Sequence, residues 1–385
     1  MKIPRHVEEV ALVLQGGGAL GSYQAGIFEA MVEARIEPTW VAGISIGAIN
    51  SALIVGNAPE RRLERLREFW DLVTSGMHSA PPAAERLFAP FTSPLRSHIN
   101  SASAAHVMLM GIPGFFTPRF PAAPFHRKGT IEAISYYDTT PLKRTLERLV
   151  DFDRINDGPV RLAVGAVNVR NGNLEFFDSA RQRLDARHVM ASGALPPAFA
   201  PVEIDGEHYW DGGLVSNTPL NYVLDQPGGK QRTVFQVDLF PARGRLPQTM
   251  DDVGEREKDV RFSSRTRWNT EQSVSRQEIA QAAQRLLRKL PVRLRSDPDA
   301  QALAALHSEC AGVDIMHLIY RTRSYESQTK DYEFSRLTMR EHWASGRSDM
   351  SRSLADPRWT GRGSSTGEVR VFDLARPSRR TQPKE

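Results

Sequence analysis

A serine, an aspartate and a run of glycines carry the chemistry in this sequence. Ser45 lies in Gly43-Ile44-Ser45-Ile46-Gly47. That spacing suits a sharp strand-to-helix turn, where a side chain in place of either glycine would crowd the backbone and the hydroxyl stands clear at the start of a helix. A serine so placed can attack an acyl carbonyl. The helix start adds free amides and partial positive charge. More amides are offered by Gln15-Gly16-Gly17-Gly18-Ala19-Leu20-Gly21, where no side chain obstructs a developing oxyanion. The candidate donors are Gly16, Gly17 and Gly18, foremost the last two, joined by Ile46. A proton acceptor is offered by Asp211 in Asp211-Gly212-Gly213. The two glycines let its backbone approach the elbow closely. A carboxylate partly removed from water gains proton affinity, which would let Asp211 take the serine proton directly.

Two other readings use the same residues. Gly16, Gly18 and Gly21 satisfy the dinucleotide-binding pattern G-x-G-x-x-G. A site of that kind also needs an acid at the end of the following strand for the ribose, and the nearest, Glu37, precedes that strand. The usual base beside a serine is a histidine held by an acid. The chain has ten histidines, and His307, His317 and His342 follow Asp211. An α/β-hydrolase, however, places several strands before the elbow, and here only one precedes the elbow strand.

The elements that must position these groups are legible around them. Val10–Leu14 and Trp40–Ala42 are short apolar runs, each ahead of a glycine turn, and Ser22–Ala34 and Ile46–Val55 read as helices behind them. The order strand, turn, helix, strand, turn, helix is a βαβα unit and predicts an α/β fold with a central, mostly parallel sheet. Both turns then open on the same edge and share a crevice. Arg61–Leu72 reads as an amphipathic helix. Residues of about 73–130 read as an insert rich in Pro, Ser and Ala, with an apolar run from Val107 to Phe116. That run predicts either a lid touching lipid or a packed cap. Val160–Val169 reads as a central strand with Leu174–Phe177 as hairpin partner, His208–Trp210 as the strand before Asp211, and Thr233–Leu239 as a further buried strand. Composition shifts at Pro241. We therefore expect a catalytic domain over 1–240 and a mainly helical C-terminal extension over 241–385. Within the extension Gln272–Leu290 reads as a helix, Val313–Tyr320 as a strand and Tyr332–Trp343 as a helix, with a frayed polar tail from about Gly361.

Composition bounds the class. The 385 residues are 40% hydrophobic and 25% charged, as in ordinary globular proteins. Lys and Arg number 50 against 45 for Asp and Glu, too slight an excess to call for nucleic acid. One cysteine, Cys310, excludes an intramolecular disulfide and fits a reducing compartment. The first ten residues lack the apolar stretch of a secretion signal, and no apolar run is long enough to span a bilayer. A cytoplasmic protein is expected on these grounds.

Taken in order, Gly16-Gly17-Gly18-Ala19-Leu20-Gly21, Gly43-Ile44-Ser45-Ile46-Gly47 and Asp211-Gly212-Gly213 resemble the motifs of the patatin-like phospholipase family. Ala191-Ser192-Gly193-Ala194-Leu195-Pro196-Pro197 is similar to the segment that precedes the aspartate in that family. The resemblance covers roughly Val7 to Leu239. It implies a three-layer α/β/α fold and hydrolysis of lipid or fatty-acyl esters by a Ser–Asp dyad, without metal or cofactor, together with peripheral membrane contact. By that carry-over Ser45 is the nucleophile and Asp211 the proton acceptor. Leu20 departs from the pattern, since many members carry a basic residue there. His317-Leu318-Ile319-Tyr320 and Lys330-Asp331-Tyr332-Glu333-Phe334-Ser335 look like an extension found on some bacterial members. The rival hypotheses are a nucleotide-binding oxidoreductase and a non-catalytic membrane-associated adaptor on the same fold.

Overall fold

The first strand, β1 (Glu9–Leu14), is buried at every residue after Glu9, as expected of a strand inside a parallel sheet covered on both faces. A computed structural model describes residues 9–76, 93–226, 231–304, 312–321, 326, 328–363 and 369–374. β1 is followed by helix α1 (Gly21–Glu33), strand β2 (Trp40–Gly43), helix α2 (Ile46–Val55) and helix α3 (Pro59–Val73). After the helix Ser93–Met110 come a two-stranded ribbon of β3 (Thr117–Pro118) and β4 (Tyr137–Asp138), then β5 (Arg161–Asn168) and β6 (Leu174–Asp178). The short helix Ala186–Ser192 precedes β7 (Val202–Ile204) and β8 (Glu207–Asp211). β9 (Arg232–Asp238), the long helix Met250–Lys289, β10 (Val313–Ile319), the helix Arg336–Ala355 and β11 (Val369–Phe372) complete the order.

The nine-stranded sheet runs β11-β10-β9-β1-β2-β5-β8-β7, with β6 also on β5. The strands from β11 to β5 are mutually parallel, while β8, β7 and β6 run antiparallel to their neighbours. Side chains alternate across the sheet. Leu12 and Leu14 join the large core under α1, α2 and α3, whereas Ala11, Val13 and Val234 join a second core with Leu220 and Val223. Helices on both faces make the expected three-layer α/β/α arrangement.

Register places the site. Leu14 pairs with Gly43 and with Val237, and Gly43 pairs with Val164, so the C-terminal ends of β1, β2 and β9 lie on one edge. β8 arrives antiparallel and ends with Asp211 opposite Ala166, two residues beyond Val164. Ser45, two residues beyond Gly43, therefore meets Asp211 at the same level.

The region after Pro241 builds on the same sheet. β10 pairs with β9, and β11 pairs with β10. The expected frayed tail thus contains an edge strand, because Val369–Phe372 alternates against a partner the sequence does not announce; residues 375–385 lie outside the described ones. The helix Arg336–Ala355 packs on α1 through two glycines. A Cβ on Gly26 would overlap the Trp343 carbonyl, and one on Gly346 would overlap the Tyr23 carbonyl. The helix expected at Gln272–Leu290 begins instead at Met250. Thr249 Oγ1 accepts the Asp252 N–H at 3.1 Å while Asp252 accepts the Thr249 N–H at 2.9 Å, a reciprocal cap that starts a charged turn without apolar periodicity. The helix expected at Tyr332–Trp343 begins later, at Arg336, behind a Ser335 cap.

The apolar run Val107–Phe116 divides between surface and core. Met108, Leu109 and Met110 are exposed, whereas Ile112, Phe115 and Phe116 are buried. Phe115 and Phe116 meet Phe199, with ring centroids 6.0 and 5.2 Å away. That half of the run is packing and not lid.

Candidate active site

Ser45 has φ 55° and ψ −123°, a backbone state that side-chain-bearing residues rarely adopt. The turn is forced by close approach on both sides. A Cβ on Gly43 would overlap the Gly47 carbonyl oxygen, and one on Gly47 would overlap the Leu14 carbonyl oxygen. The strain is held by hydrogen bonds. The Ser45 N–H donates to Ser192 Oγ at 3.0 Å, and the fully buried Ser192 hydroxyl donates in turn to the Gly165 carbonyl at 2.7 Å. Ser192 thus links the elbow to β5. Sequence reasoning noted its segment without finding this task.

Asp211 is buried at the end of β8. Its carboxylate accepts the Gly213 N–H at 2.7 Å and lies beside the Ser45 hydroxyl. Burial pushes its pKa up to about 6, and the neighbouring Ser45 hydroxyl and the Gly213 N–H pull partly against that rise. Gly212 lets this turn lie on β5, since a Cβ there would come within 2.5 Å of the Gly165 carbonyl oxygen.

The first glycine turn folds over the elbow. Gly16 was expected among the free donors. Its N–H is spent on the Asn217 carbonyl at 3.1 Å, while Asn217 Nδ2 donates back to the Gly16 carbonyl at 3.0 Å. Asn217 is buried, and no motif marked it. Gly16 still has a packing reason to be glycine, because a Cβ would lie 3.0 Å from that of Ser45. The Ala19 N–H donates to the Asp331 carbonyl at 2.8 Å. Among the described residues no acceptor is recorded for the N–H groups of Gly17, Gly18 or Ile46. Gly17, Gly18 and Ser45 are partly open to solvent amid buried neighbours. Gly21 opens α1 directly against Ile46, the first residue of α2. The strained serine and the buried carboxylate thus lie beside the glycine turn, where Gly17, Gly18 and Ser45 are partly exposed.

The histidines have other partners. His317 bonds to Asp238 at 2.6 Å, and His342 to Glu326 at 2.7 Å. His307 lies outside the described residues. Glu37, the acid nearest to a ribose position, pairs with Arg62 ahead of β2. Among the described residues, no group of three or more His, Cys, Asp or Glu could hold a metal ion. An arrangement of this kind permits proton transfer from the hydroxyl to the carboxylate and stabilisation of an oxyanion by backbone amides.

A family model described as patatin-like phospholipase matches residues 12–224, and one described as patatin phospholipase matches residues 260–366. The chain is 25% identical over 246 residues to lysophospholipase NTE1 of Candida glabrata, an alignment that takes in 64% of this chain and 11% of that protein. The chain therefore spans about a ninth of that relative's length. Among solved structures, VipD from Legionella pneumophila shares 16% identity with a TM-score of 0.32, covering 88% of this chain and 67% of that one. The ExoU–SpcU complex of Pseudomonas aeruginosa shares 17% identity with a TM-score of 0.29, covering 78% and 59%. The first family model alone spans more than half of the sequence, and the chain belongs to the patatin-like phospholipase family.

Proposed function

We propose that this chain is a serine acyl hydrolase that cleaves carboxylic esters of lipids through a Ser45–Asp211 dyad. Ser45 Oγ attacks the acyl carbonyl as its proton passes to Asp211. The tetrahedral oxyanion is held by the N–H groups of Gly17, Gly18 and Ile46. Collapse breaks the ester bond, and Asp211 returns the proton to the departing alcohol, leaving an acyl-Ser45. Water then attacks this ester, gives its proton to Asp211, and releases the fatty acid as Ser45 Oγ recovers that proton. A carboxylate lifted to about 6 is ionised at neutral pH yet far more basic than an exposed one, which suits a general base. The carrying observation is the strained Ser45 of the elbow, set by sheet register at the level of the buried Asp211. The family match supplies the substrate class, lipid esters.

We also propose that the cap meets the lipid surface. No helix among the described residues is long and apolar enough to cross a membrane. Leu109 (75% exposed), Phe120 (98%) and Phe125 (81%) nevertheless project outward, with Arg127 and Lys128 exposed beside Phe125. The cap is tied to the site rim, where the Tyr136 and Tyr137 N–H groups donate to the carbonyls of Pro197 and Ala198 at 3.2 and 3.0 Å. Burying such side chains in an interface is worth about 25 cal/mol per Å² of apolar area.

Treatment with a fluorophosphonate, followed by peptide mass mapping, tests the chemistry. Wild type should carry the label on Ser45, and Ser45→Ala should carry none. A total lipid extract incubated with each form should then show which esters only the wild type consumes. Ester hydrolysis retained by clean Ser45→Ala would sink the assignment. An unlabelled, inert wild type would leave the non-catalytic adaptor.

A further inference from the structure

One neighbour of the oxyanion loop comes from more than three hundred residues away. The loop is held on one side by Asn217, which brackets Gly16. On the other side the turn 328–332 presents the Asp331 carbonyl, which accepts the Ala19 N–H at 2.8 Å. The same oxygen occupies the place of a Cβ on Gly18, whose φ is +55°. That hydrogen bond fixes the peptide plane between Gly18 and Ala19. Consecutive glycines otherwise carry large backbone freedom, and donors stabilise an oxyanion only if they are oriented beforehand.

The turn is itself anchored from behind. Glu255, Lys258 and Asp259 share one face of the helix Met250–Lys289, at helical spacing. Lys258 Nζ donates to the Gln328 carbonyl and to Asp331 Oδ1, both at 2.7 Å. The buried Lys330 reaches the other way, to Glu255 at 3.0 Å and Asp259 at 2.8 Å. Further along, Phe334 stacks on Trp70 at 6.4 Å, and Trp70 lines the contact between Gly21 and Ile46. The chain after Pro241 thus seats the loop through backbone and ion pairs, while Ser45 and Asp211 come from the earlier part.

We infer that the turn 328–332, held by Lys258 and Lys330 against the long helix, is a positioning element that sets the Gly17 and Gly18 amides for oxyanion stabilisation. The inference rests on the dyad reading for its kinetic half only. The anchoring itself is independent of it.

The test uses Lys258→Met, whose side chain is partly exposed, and the triple variant Lys330→Met/Glu255→Gln/Asp259→Asn, which neutralises the lysine together with the two acids it bonds. Lys258→Arg serves as the conservative rescue. Amide exchange of the peptide covering residues 15–20 should quicken by about tenfold in the first two and stay near wild type in the arginine variant. On a short soluble ester, kcat should fall roughly tenfold with KM within about twofold, less than the 10²–10³ seen for outright loss of a donor. Affinity for a trifluoromethyl ketone, whose hemiketal oxyanion needs the same amides, should weaken in step. Unchanged exchange in both variants would overturn the anchoring. Faster exchange with unchanged kcat and ketone affinity would overturn the positioning. A wild type without esterase activity would count against the dyad reading, and exchange alone would then decide the anchoring.

Discussion

At the glycine-turn edge of the sheet, side chains are missing wherever one would intrude, while in the cap large apolar side chains are divided between core and solvent within a few residues. Gly43, Gly47 and Gly212 each face a neighbouring carbonyl so closely that any Cβ would displace it. Their identity follows from local contact. In the cap, Leu109 and Phe120 are exposed, yet Ile112 and Phe116 between them are buried. All four are equally apolar, so nothing in their own chemistry sorts them. The edge is built by exclusion and tolerates one solution. The cap is built by which partner arrives, here Phe199 and Tyr137.

The sharpest test of the edge is Ser45→Ala, expected to lose at least about 10³ in ester turnover while melting near the wild-type temperature. Asp211→Asn should lose a comparable factor but, unlike Ser45→Ala, should change stability. The folded-state pKa of Asp211 lies near 6, above its ordinary 3.8. The folded protein therefore holds the proton more tightly than the unfolded chain. Stability from this group is full below about 4 and is lost as pH rises through about 6. Asp211→Asn should accordingly melt above wild type at pH 8, with the gap closing toward pH 4. In wild type, kcat/KM should fall about tenfold per pH unit below about 6, as the base becomes protonated. A histidine-like midpoint that survives Asp211→Asn would break this reading.

The cap contrast is tested by substitutions on its two sides. Phe115→Ala should cost about 3–5 kcal/mol of stability, seen as a lower denaturant midpoint, and both soluble and vesicle substrates should suffer. Phe120→Ser with Phe125→Ser should leave melting and soluble-ester turnover unchanged and reduce binding to vesicles containing anionic lipid. Equal loss on both substrates would make the outer side packing as well. The smallest effects are expected from His307→Gln, His317→Gln and His342→Gln taken singly, with turnover within about threefold of wild type, since such surface or core substitutions act through stability alone. One essential histidine would turn the dyad into a triad.

Much of the site could be read from the chain. Gly-x-Ser-x-Gly, the triple glycine and Asp-Gly-Gly announce turns whose backbone only those residues permit, and short apolar runs before them announce the strands. The structure adds assignments that depend on groups remote in sequence. Which amides are free is one. Gly16 looks like a donor until Asn217 claims its N–H, and neither Asn217 nor Ser192 differs in type from the many other polar residues of the chain. Their value lies in being buried beside the elbow. The same holds for β11, whose four residues form a strand because β10 offers an open edge.

The sequence by itself determined the order strand, glycine turn, helix, and the positions where a Cβ is forbidden, because those are steric demands within a few residues of chain. The tertiary structure alone decided that β8 arrives antiparallel, setting Asp211 level with Ser45, and that the Asp331 carbonyl caps the first glycine turn. Each is a pairing between segments far apart in sequence, fixed by sheet register and by the burial of Lys330 between two acids. Such pairings are settled by the whole core at once, so no window of sequence contains them.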